Sequence, residues 1–398
     1  MDERRNTAKA TGDRHEPAAA ARTKLDVWYG SRNLPVVEIA MDPETWTSLR
    51  QEEPAGGACN HAYECKRYRW HEAASVTLSG SVEPFNDAVT IDRVGVRKKS
   101  YCSSKDSVRP SLKISLNRYV KDDSRKQVIG SSKLTLNNSK SDPLIVRQCV
   151  GYRLIRDADL PGPRCNLAEV RVNGEYIGTY VNVEPIKKQL VRRCFGDADG
   201  NLYELEHQED LIPEIDLCRI EYKGFRKDHT KDDLRAVREV LKTGSIAALD
   251  KVVPVQEFLR FWSMEALLKH WDGYTYHRNN TYIYNSRPDS EFPRLVFFHW
   301  GIDEILQTNQ RWLFHANGRV ANVLWQDPAT RARLAETFNS IRDQVLSRSR
   351  LEEVVLPYVG TLEEQVNTVG GRNEQPTIIV DAIRHQLRQA AEANPPVG

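Results

Sequence analysis

The sequence predicts an α+β protein of two lobes, because strand patterns dominate its first half and helical patterns its second. Between residues 74 and 136, alternating or β-branched apolar residues are separated by Gly, Ser and Asn, as in successive short strands. The second half places apolar residues at helical spacing, and only two strand-like runs interrupt it. Such segregation of strands and helices is typical of α+β proteins.

The bulk composition is that of a globular protein. The 398 residues are 40% hydrophobic and 28% charged, which argues against wholesale disorder. The net charge of +2 gives no electrostatic reason to expect a nucleic-acid partner. No apolar stretch is long enough to span a membrane, and the charged N-terminus has no apolar run that would make it an export signal. The location of the protein stays open, as does its oligomeric state.

The first elements follow a polar N-terminal segment. Residues 1–33 lack periodicity and are predicted to be a disordered tail, so that the globular part begins near Leu34. Asp42 and Pro43 predict the N-cap and first position of a short helix. Four strands are then predicted at Ala74–Leu78, Ala88–Val96, Leu112–Leu116 and Leu134–Leu136.

A helix and a hairpin follow these strands. Asp142 and Pro143 predict the N-cap and first position of the helix, and the proline-rich stretch 161–163 ends it. Asn173-Gly174 is typical of a two-residue hairpin turn between strands at 169–172 and 175–183.

The second half is predicted to be mostly helical. A helix begins after Pro254, and amphipathic helices are predicted near 325–348 and 374–393. Two strands are predicted at Thr281–Tyr284 and Leu295–Trp300.

The seven cysteines do not indicate a metal site. Their number is odd and no CxxC pair occurs, which disfavours a zinc site built on paired thiolates. Cys59 and Cys65 flank a loop-like stretch with His61 and could form a disulfide in an oxidising compartment. Scattered reduced thiols are the favoured interpretation.

The most informative stretch runs from Trp271 to Glu304. It contains an acid at the end of an apolar helix, a polar loop, an Asn, two strands and a second acid. Phosphoryl transfer needs one carboxylate to orient the acceptor hydroxyl and an amide and a second carboxylate to hold Mg²⁺. This pattern assigns Asp272 as the catalytic carboxylate, and Asn280 and Asp303 as metal ligands. Spacing alone fits many structural loops equally well.

Several segments, taken in order, resemble the CotH (spore coat protein H) kinase family. They are LPVVEIAMDPETW at 34–46, GVRKKSYCSS at 95–104, PSLKISL at 110–116, LTLNNSKSDPLIVR at 134–147, RVNGEYIGTYVNVEPI at 171–186, GNLYE at 200–204 and WDGYTYHRNNTYIY at 271–284. No single motif is specific, but the ordered series is, and it covers residues 34 to about 310.

The resemblance implies an atypical, two-lobed protein-kinase-like fold. It implies an N-lobe at about 34–184 and a C-lobe at about 185–350, with 351–398 as a helical C-terminal extension. It further implies an ATP- and Mg²⁺-dependent phosphotransferase that acts on Ser or Thr of protein substrates. Family members are often extracytoplasmic.

The resemblance also implies nucleotide-binding residues. Lys113 resembles the N-lobe lysine that pairs with nucleotide phosphates, although a solvated edge-strand lysine is the alternative. Lys98, Lys99, Ser103 and Ser104 lie in a predicted turn that either touches phosphates or is a plain basic loop. Glu184 falls at the expected hinge, where it either approaches the base or ribose or caps the next helix. By contrast, Asn137, Asn138 and Arg147 are expected to be structural.

Two departures from the family pattern leave the activity open. Ser100 replaces a usual Gly, and Trp300-Gly301-Ile302-Asp303 lacks the first of two usual acids. A catalytically weak or dead pseudokinase that serves as a binding protein is therefore one alternative, and an acid restored at position 301 is expected to raise the activity of a weakened kinase. Nucleotide-dependent transfer to a small molecule is another.

Overall fold

The first lobe is built on a closed seven-stranded barrel. The computed structural model describes residues 22–53, 68–99, 105–370 and 376–397. The strands run in the order β1-β2-β3-β4-β5-β7-β6, and β1 closes the barrel by pairing in parallel with β6. Their bounds are β1 (Val36–Ala40), β2 (His71–Ser79), β3 (Val89–Lys98), β4 (Leu112–Ser115), β5 (Lys133–Asn137), β6 (Cys165–Val172) and β7 (Glu175–Val183).

The four predicted strands between residues 74 and 136 are present, and so is the hairpin. Asn173 and Gly174 have φ angles of 53° and 83°, which fit a two-residue turn between β6 and β7. The barrel interior is filled by alternate aliphatic residues such as Val37, Val94 and Ile114, all fully buried. The alternate positions of β3, β4 and β5 therefore face outward.

The folded chain begins before Leu34, contrary to the predicted tail. Helix α1 (Lys24–Trp28) is capped by Thr23, and Trp28 is fully buried in the barrel core against Phe85. The sequence prediction failed here because a five-residue helix is too short to show a period. Helix α2 (Pro43–Gln51) begins as predicted, with Asp42 accepting from the Thr45 amide at 2.8 Å.

Helix α3 (Arg147–Asp157) lies outside the barrel and begins later than predicted. Asp142 accepts from the amides of Leu144 and Arg147, but Ile145 adopts a φ of 61°, which helical geometry excludes. A turn therefore occupies 142–146. Buried residues of α3 such as Val150, Leu154 and Ile155 join the core of the second lobe.

A four-stranded antiparallel sheet, in the order β11-β10-β8-β9, belongs to the second lobe. Its strands are β8 (Asn201–Leu205), β9 (Glu221–Tyr222), β10 (Thr281–Asn285) and β11 (Leu295–His299). The pair β10–β11 was predicted, whereas β8 and β9 were not. Helix α4 (Lys188–Phe195) connects the barrel to this sheet.

Helices make up the rest of the second lobe. They are α5 (Asp232–Thr243), α6 (Ile246–Leu249), α7 (Val255–Leu268), α8 (Tyr274–His277), α9 (Arg319–Trp325), α10 (Pro328–Leu346), α11 (Arg348–Arg350), α12 (Leu356–Gly370) and α13 (Pro376–Ala391). The predicted helices correspond to α7, α10 and α13. Helices α12 and α13 place Val359, Leu362 and Leu387, all fully buried, in the same core as α7 and α10.

The architecture is therefore α+β with two lobes, as the sequence predicts. No described helix has the length and apolarity that a membrane span requires. Cys149, Cys165, Cys194 and Cys218 are free thiols. Cys59 and Cys65, for which a disulfide was one of two alternatives, lie outside the described residues.

Candidate active site between the lobes

Asp272 is held in a tight turn at the end of the most buried helix. Helix α7 ends at Leu268, and Lys269 follows with a φ of 53°, which stops the helix and starts the turn. The carboxylate of Asp272 accepts from Asn279 Nδ2 at 3.1 Å and from Asn280 Nδ2 at 2.7 Å. Its side chain is 29% exposed, so the held carboxylate still reaches solvent.

Asn280 ties this turn to the loop that follows β11. Its amide donates both to the carboxylate and to the backbone oxygen of Asp272, at 2.7 and 3.1 Å. Its backbone oxygen accepts from the Trp300 amide at 3.0 Å. Since the amide nitrogen is used in this way, the side-chain oxygen is the atom left for a cation.

Gly301 packs directly against the Asn280 side chain. Its φ is 57°, and a Cβ atom at this position would lie 2.5 Å from Asn280 Cγ. A Cβ here would adopt a left-handed backbone conformation and would require the Asn280 side chain to shift. The expectation that an acid at position 301 would raise activity stays a prediction, and this contact argues against it.

Asp303 lies in a short 3₁₀ turn, Ile302–Glu304, two residues after Gly301. Burial raises the pKa of Asp303 to about 6, and the carboxylates of Glu304 and Asp272 contribute to the rise while the Lys99 ammonium opposes it. These electrostatic partners place Asp303, Asp272 and Lys99 in one neighbourhood. We refer to Asp272, Asn280, Asp303, Lys99 and Lys113 as the interlobe site.

Lys99 reaches the second lobe from the end of β3. Its Nζ donates to Asn137 Oδ1 at 2.7 Å and lies 5.7 Å from the centre of the Trp300 ring. Burial lowers the pKa of Lys99, and Asp303 and Glu204 oppose that change. Lys99 is thus the barrel lysine that faces the acid of the second lobe.

Lys113 lies on the outward face of β4, opposite Arg97 of β3. Burial lowers the pKa of Lys113 to about 7, and the nearby Lys99 ammonium lowers it further while Glu204 opposes the change. Within the described part of the chain, its Nζ has neither a hydrogen bond nor an ion pair. A half-buried cation that lacks such a contact favours the binding of an anion.

Other predicted contacts fall elsewhere. Lys98 is buried, and its Nζ donates to the backbone oxygens of Arg50 and Glu52, so it supports the end of β3 rather than touching phosphate. Ser103 and Ser104 lie outside the described residues, as does Ser100.

Glu184 is engaged in a structural network. It lies directly after β7, where the chain leaves the barrel, but its carboxylate accepts from Arg164 Nη1 at 2.9 Å and Arg193 Nη2 at 2.6 Å. It is 2% exposed. The expected contact of this side chain with a base or ribose therefore does not fit, since both carboxylate oxygens already bind arginine. It does not cap α4 either.

The interlobe site matches the chemistry of a nucleotide with magnesium. Mg²⁺ prefers oxygen ligands and keeps several waters, which one carboxylate and one amide oxygen, from Asp303 and Asn280, would complement. Lys99 and Lys113 supply positive charge for phosphate oxygens. The half-buried Lys113 ammonium, which has no hydrogen bond among the described residues, would gain a partner from such an anion.

Sequence reasoning missed the residues that support Lys99. Asn137 was expected to be purely structural, but it bonds Lys99 through its oxygen and Gln148 of α3 through its amide, at 2.9 Å. The tertiary fold brings these three residues together, so no local sequence pattern could have identified them. Asn138 does hold backbone, donating to Arg109 O at 2.7 Å, as expected. Arg147 pairs with Asp142 at 3.2 Å and is likewise structural.

A cluster of glutamates also borders the interlobe site. Carboxylate oxygens of Glu204, Glu206 and Glu221 lie within 4.8 Å of one another. Lys223 Nζ is 2.7 Å from Glu204 and 2.5 Å from Glu221, so an ammonium already pairs with two of the three acids. Glu204 and Glu221 are therefore poor metal ligands.

A barrel lobe, a helical lobe, and acids that face lysines between them define a kinase-like protein. The model of the family described as CotH kinase protein matches residues 101–393. Because this match covers most of the chain, the protein belongs to the CotH kinase family. A search of curated proteins found no match to this chain.

Proposed function

We propose that this protein is an ATP- and Mg²⁺-dependent phosphotransferase that acts on Ser or Thr hydroxyls of protein substrates. The observation that supports it most is the convergence of Asp272, Asp303 and Lys99 between the lobes. Membership of a kinase family supports the same reaction class.

Each residue has a distinct role in this proposal. Asp272 orients the acceptor hydroxyl and accepts its proton, and its bonds to Asn279 and Asn280 fix the carboxylate for that task. Lys99 and Lys113 bind phosphate oxygens. Asp303 and the Asn280 side-chain oxygen would hold Mg²⁺, which supplies neutralisation of the phosphate charge.

Substitution of Asp272 tests the proposal directly. Purified protein is incubated with γ-labelled ATP, Mg²⁺ and a Ser/Thr-rich acceptor protein, beside Asp272→Ala and the control Asp289→Ala, which alters an exposed acid. We expect transfer that falls at least about 100-fold in Asp272→Ala and is unchanged in the control. Equal transfer by Asp272→Ala would refute the role of this carboxylate.

One observation favours a second function, that of a pseudokinase with a binding role. Gly301 offers no carboxylate, so Asp303 is the main acid of the loop near Asn280. Thermal unfolding with ATP and Mg²⁺, compared with ATP and a chelator, separates the two functions. Magnesium-dependent stabilisation supports the enzyme, whereas its absence together with a lack of transfer supports the binding protein.

A further inference from the structure

A second cationic pocket lies at the junction of α1, α3, β6 and α12. Its volume is about 200 Å³, which exceeds that of a phosphate group. Its lining consists of one acid, three arginines, two tyrosines and three small residues: Asp26, Arg153, Arg156, Arg164, Tyr29, Tyr358, Gly30, Ser31 and Cys165. None of them belongs to the interlobe site.

Arg156 is the least compensated charge in this pocket. Its Nη1 donates to the Pro163 backbone oxygen at 2.6 Å, and among the described residues it pairs with no carboxylate. Burial lowers the pKa of Arg156, Tyr358 and Cys165 oppose that change, and Arg193 and Arg153 lower the pKa further. A guanidinium cannot lose its proton at physiological pH, so Arg156 remains a half-buried cation that an anion would stabilise.

The acids nearby are shared among several other arginines. Asp157 pairs with Arg153 and Arg350, at 2.9 and 2.8 Å. Glu184 and Asp26 both pair with Arg164, and Glu184 also pairs with Arg193. Together with Arg156, five guanidinium groups therefore face three carboxylates, which leaves an excess of positive charge.

Tyr29 provides the second, independent observation. It lines the pocket, is 4% exposed, and its hydroxyl has no hydrogen-bond partner among the described residues. Burying a hydroxyl without a partner is unfavourable, so such groups usually bind something else. Elsewhere in the pocket lining, the Arg153 guanidinium lies 5.4 Å from the centre of the Tyr358 ring, and this contact restricts the position of Arg153.

We infer that this pocket binds a phosphate-type oxyanion, either inorganic phosphate or a phosphate monoester, through Arg156 and the Tyr29 hydroxyl. An oxyanion would accept from both groups and balance the excess charge. The inference does not depend on the proposed kinase activity, because it concerns equilibrium binding at a different site.

Calorimetric titration of the full-length protein tests the inference. Inorganic phosphate and O-phosphoserine serve as separate probes, at ionic strength held constant with chloride. We expect saturable binding of at least one probe, and the tighter probe identifies the source of the anion. Arg156→Gln should abolish it, and Tyr29→Phe should weaken it about tenfold, since a hydrogen bond to a charged group is lost.

Two control variants separate this pocket from cationic residues elsewhere in the protein. Lys113→Gln should retain binding, because that lysine belongs to the interlobe site, and so should Arg93→Gln, which alters an exposed arginine on β3 of the barrel. Without phosphate, Tyr29→Phe should unfold at the same temperature as the parent or higher, because it removes an unpartnered hydroxyl. Absence of saturable binding, or equal binding by Arg156→Gln and the parent, would overturn the inference.

Discussion

Asp303 illustrates how one buried carboxylate links metal binding to pH. Its pKa is about 6 because burial disfavours the ionised form. A bound cation requires that form, so a proton must leave when Mg²⁺ binds at a pH below 6. We expect the Mg²⁺ dependence of nucleotide binding to weaken by up to about tenfold per pH unit below 6. Titrations at pH 5, 6 and 7.5 check this, and a flat profile would contradict it.

The same carboxylate should decrease the stability of the metal-free protein. The folded-state pKa is above the unfolded value, so ionised Asp303 costs free energy as pH rises from about 4 to above 6. Asp303→Asn should therefore raise the free energy of unfolding by about 1 kcal/mol at pH 8, discounted for partial exposure, and by less at pH 4.5. Urea unfolding at both pH values measures this. A variant less stable than the parent at pH 8 would exclude the proposed cost.

Lys113 should likewise lower the stability of the nucleotide-free protein while it strengthens nucleotide binding. Its ammonium is half-buried without a hydrogen bond among the described residues, and its pKa is about 7. Lys113→Met should stabilise the nucleotide-free protein at pH 6, because the folded parent carries a charged lysine there. The same substitution should weaken Mg²⁺-ATP binding about tenfold. Calorimetric affinity and thermal unfolding test both effects. As a control, Lys121→Met alters a lysine of the exposed loop after β4 and should change neither.

At the scale of elements, α3 connects the two lobes mechanically. Gln148 holds Asn137, which in turn holds Lys99. Gly151, one turn further along, packs against the loop that carries Asp303, where a Cβ atom would lie 2.5 Å from Ile305 Cδ1. One face of this helix thus sets the positions of both Lys99 and Asp303.

Enlarging Gly151 should therefore disturb the interlobe site. Gly151→Val would push Ile302 and Ile305 away and shift Asp303, so we expect transfer to fall at least about tenfold with about 1–3 kcal/mol of lost stability. The matched control is Gly360→Ala in α12, where the nearest side-chain atom is 4.0 Å away. That variant should gain up to about 1 kcal/mol. Activity of Gly151→Val equal to that of the parent would argue against coupling through α3.

Elements with a clear period could be predicted from sequence, and elements defined by tertiary pairing could not. The barrel strands, the Asn173-Gly174 hairpin and α7 follow their local patterns. Strand β8 is a short run of mixed polarity that becomes a strand by pairing with β10. The acid–Asn–acid spacing predicts Asp272, Asn280 and Asp303 as site residues, and their roles stay a prediction. No such pattern indicates the support of Lys99 by Asn137, which joins residues 38 positions apart.

At the scale of the whole molecule, the C-terminal helices are part of the C-lobe core. The sequence suggested an extension at 351–398, but α12 and α13 bury Val359, Leu362 and Leu387 completely. Each such side chain contributes about 1.5–3 kcal/mol, and a whole domain has only about 5–15 kcal/mol of net stability. We therefore propose that the kinase-like domain extends through α13.

Truncation after Arg350 tests the extent of the domain. We expect the shortened chain to lose its cooperative unfolding transition, which circular dichroism during heating would reveal. Leu387→Ala should cost about 2–5 kcal/mol, whereas His385→Ala, on the exposed face of the same helix, should change stability by less than about 0.5 kcal/mol. An unchanged transition in the truncated chain would show that α12 and α13 are dispensable.

The contact between Gly301 and Asn280 makes the two positions mutually dependent. An acid at 301 would require the Asn280 side chain to move, and a smaller residue at 280 would release Asp272 from its 2.7 Å bond. Each single substitution therefore gives a defective site, so the effects of the two substitutions should be strongly non-additive. Gly301 and Asn280 therefore constrain each other, so neither position can be enlarged or reduced alone without consequences for the Asp272 carboxylate.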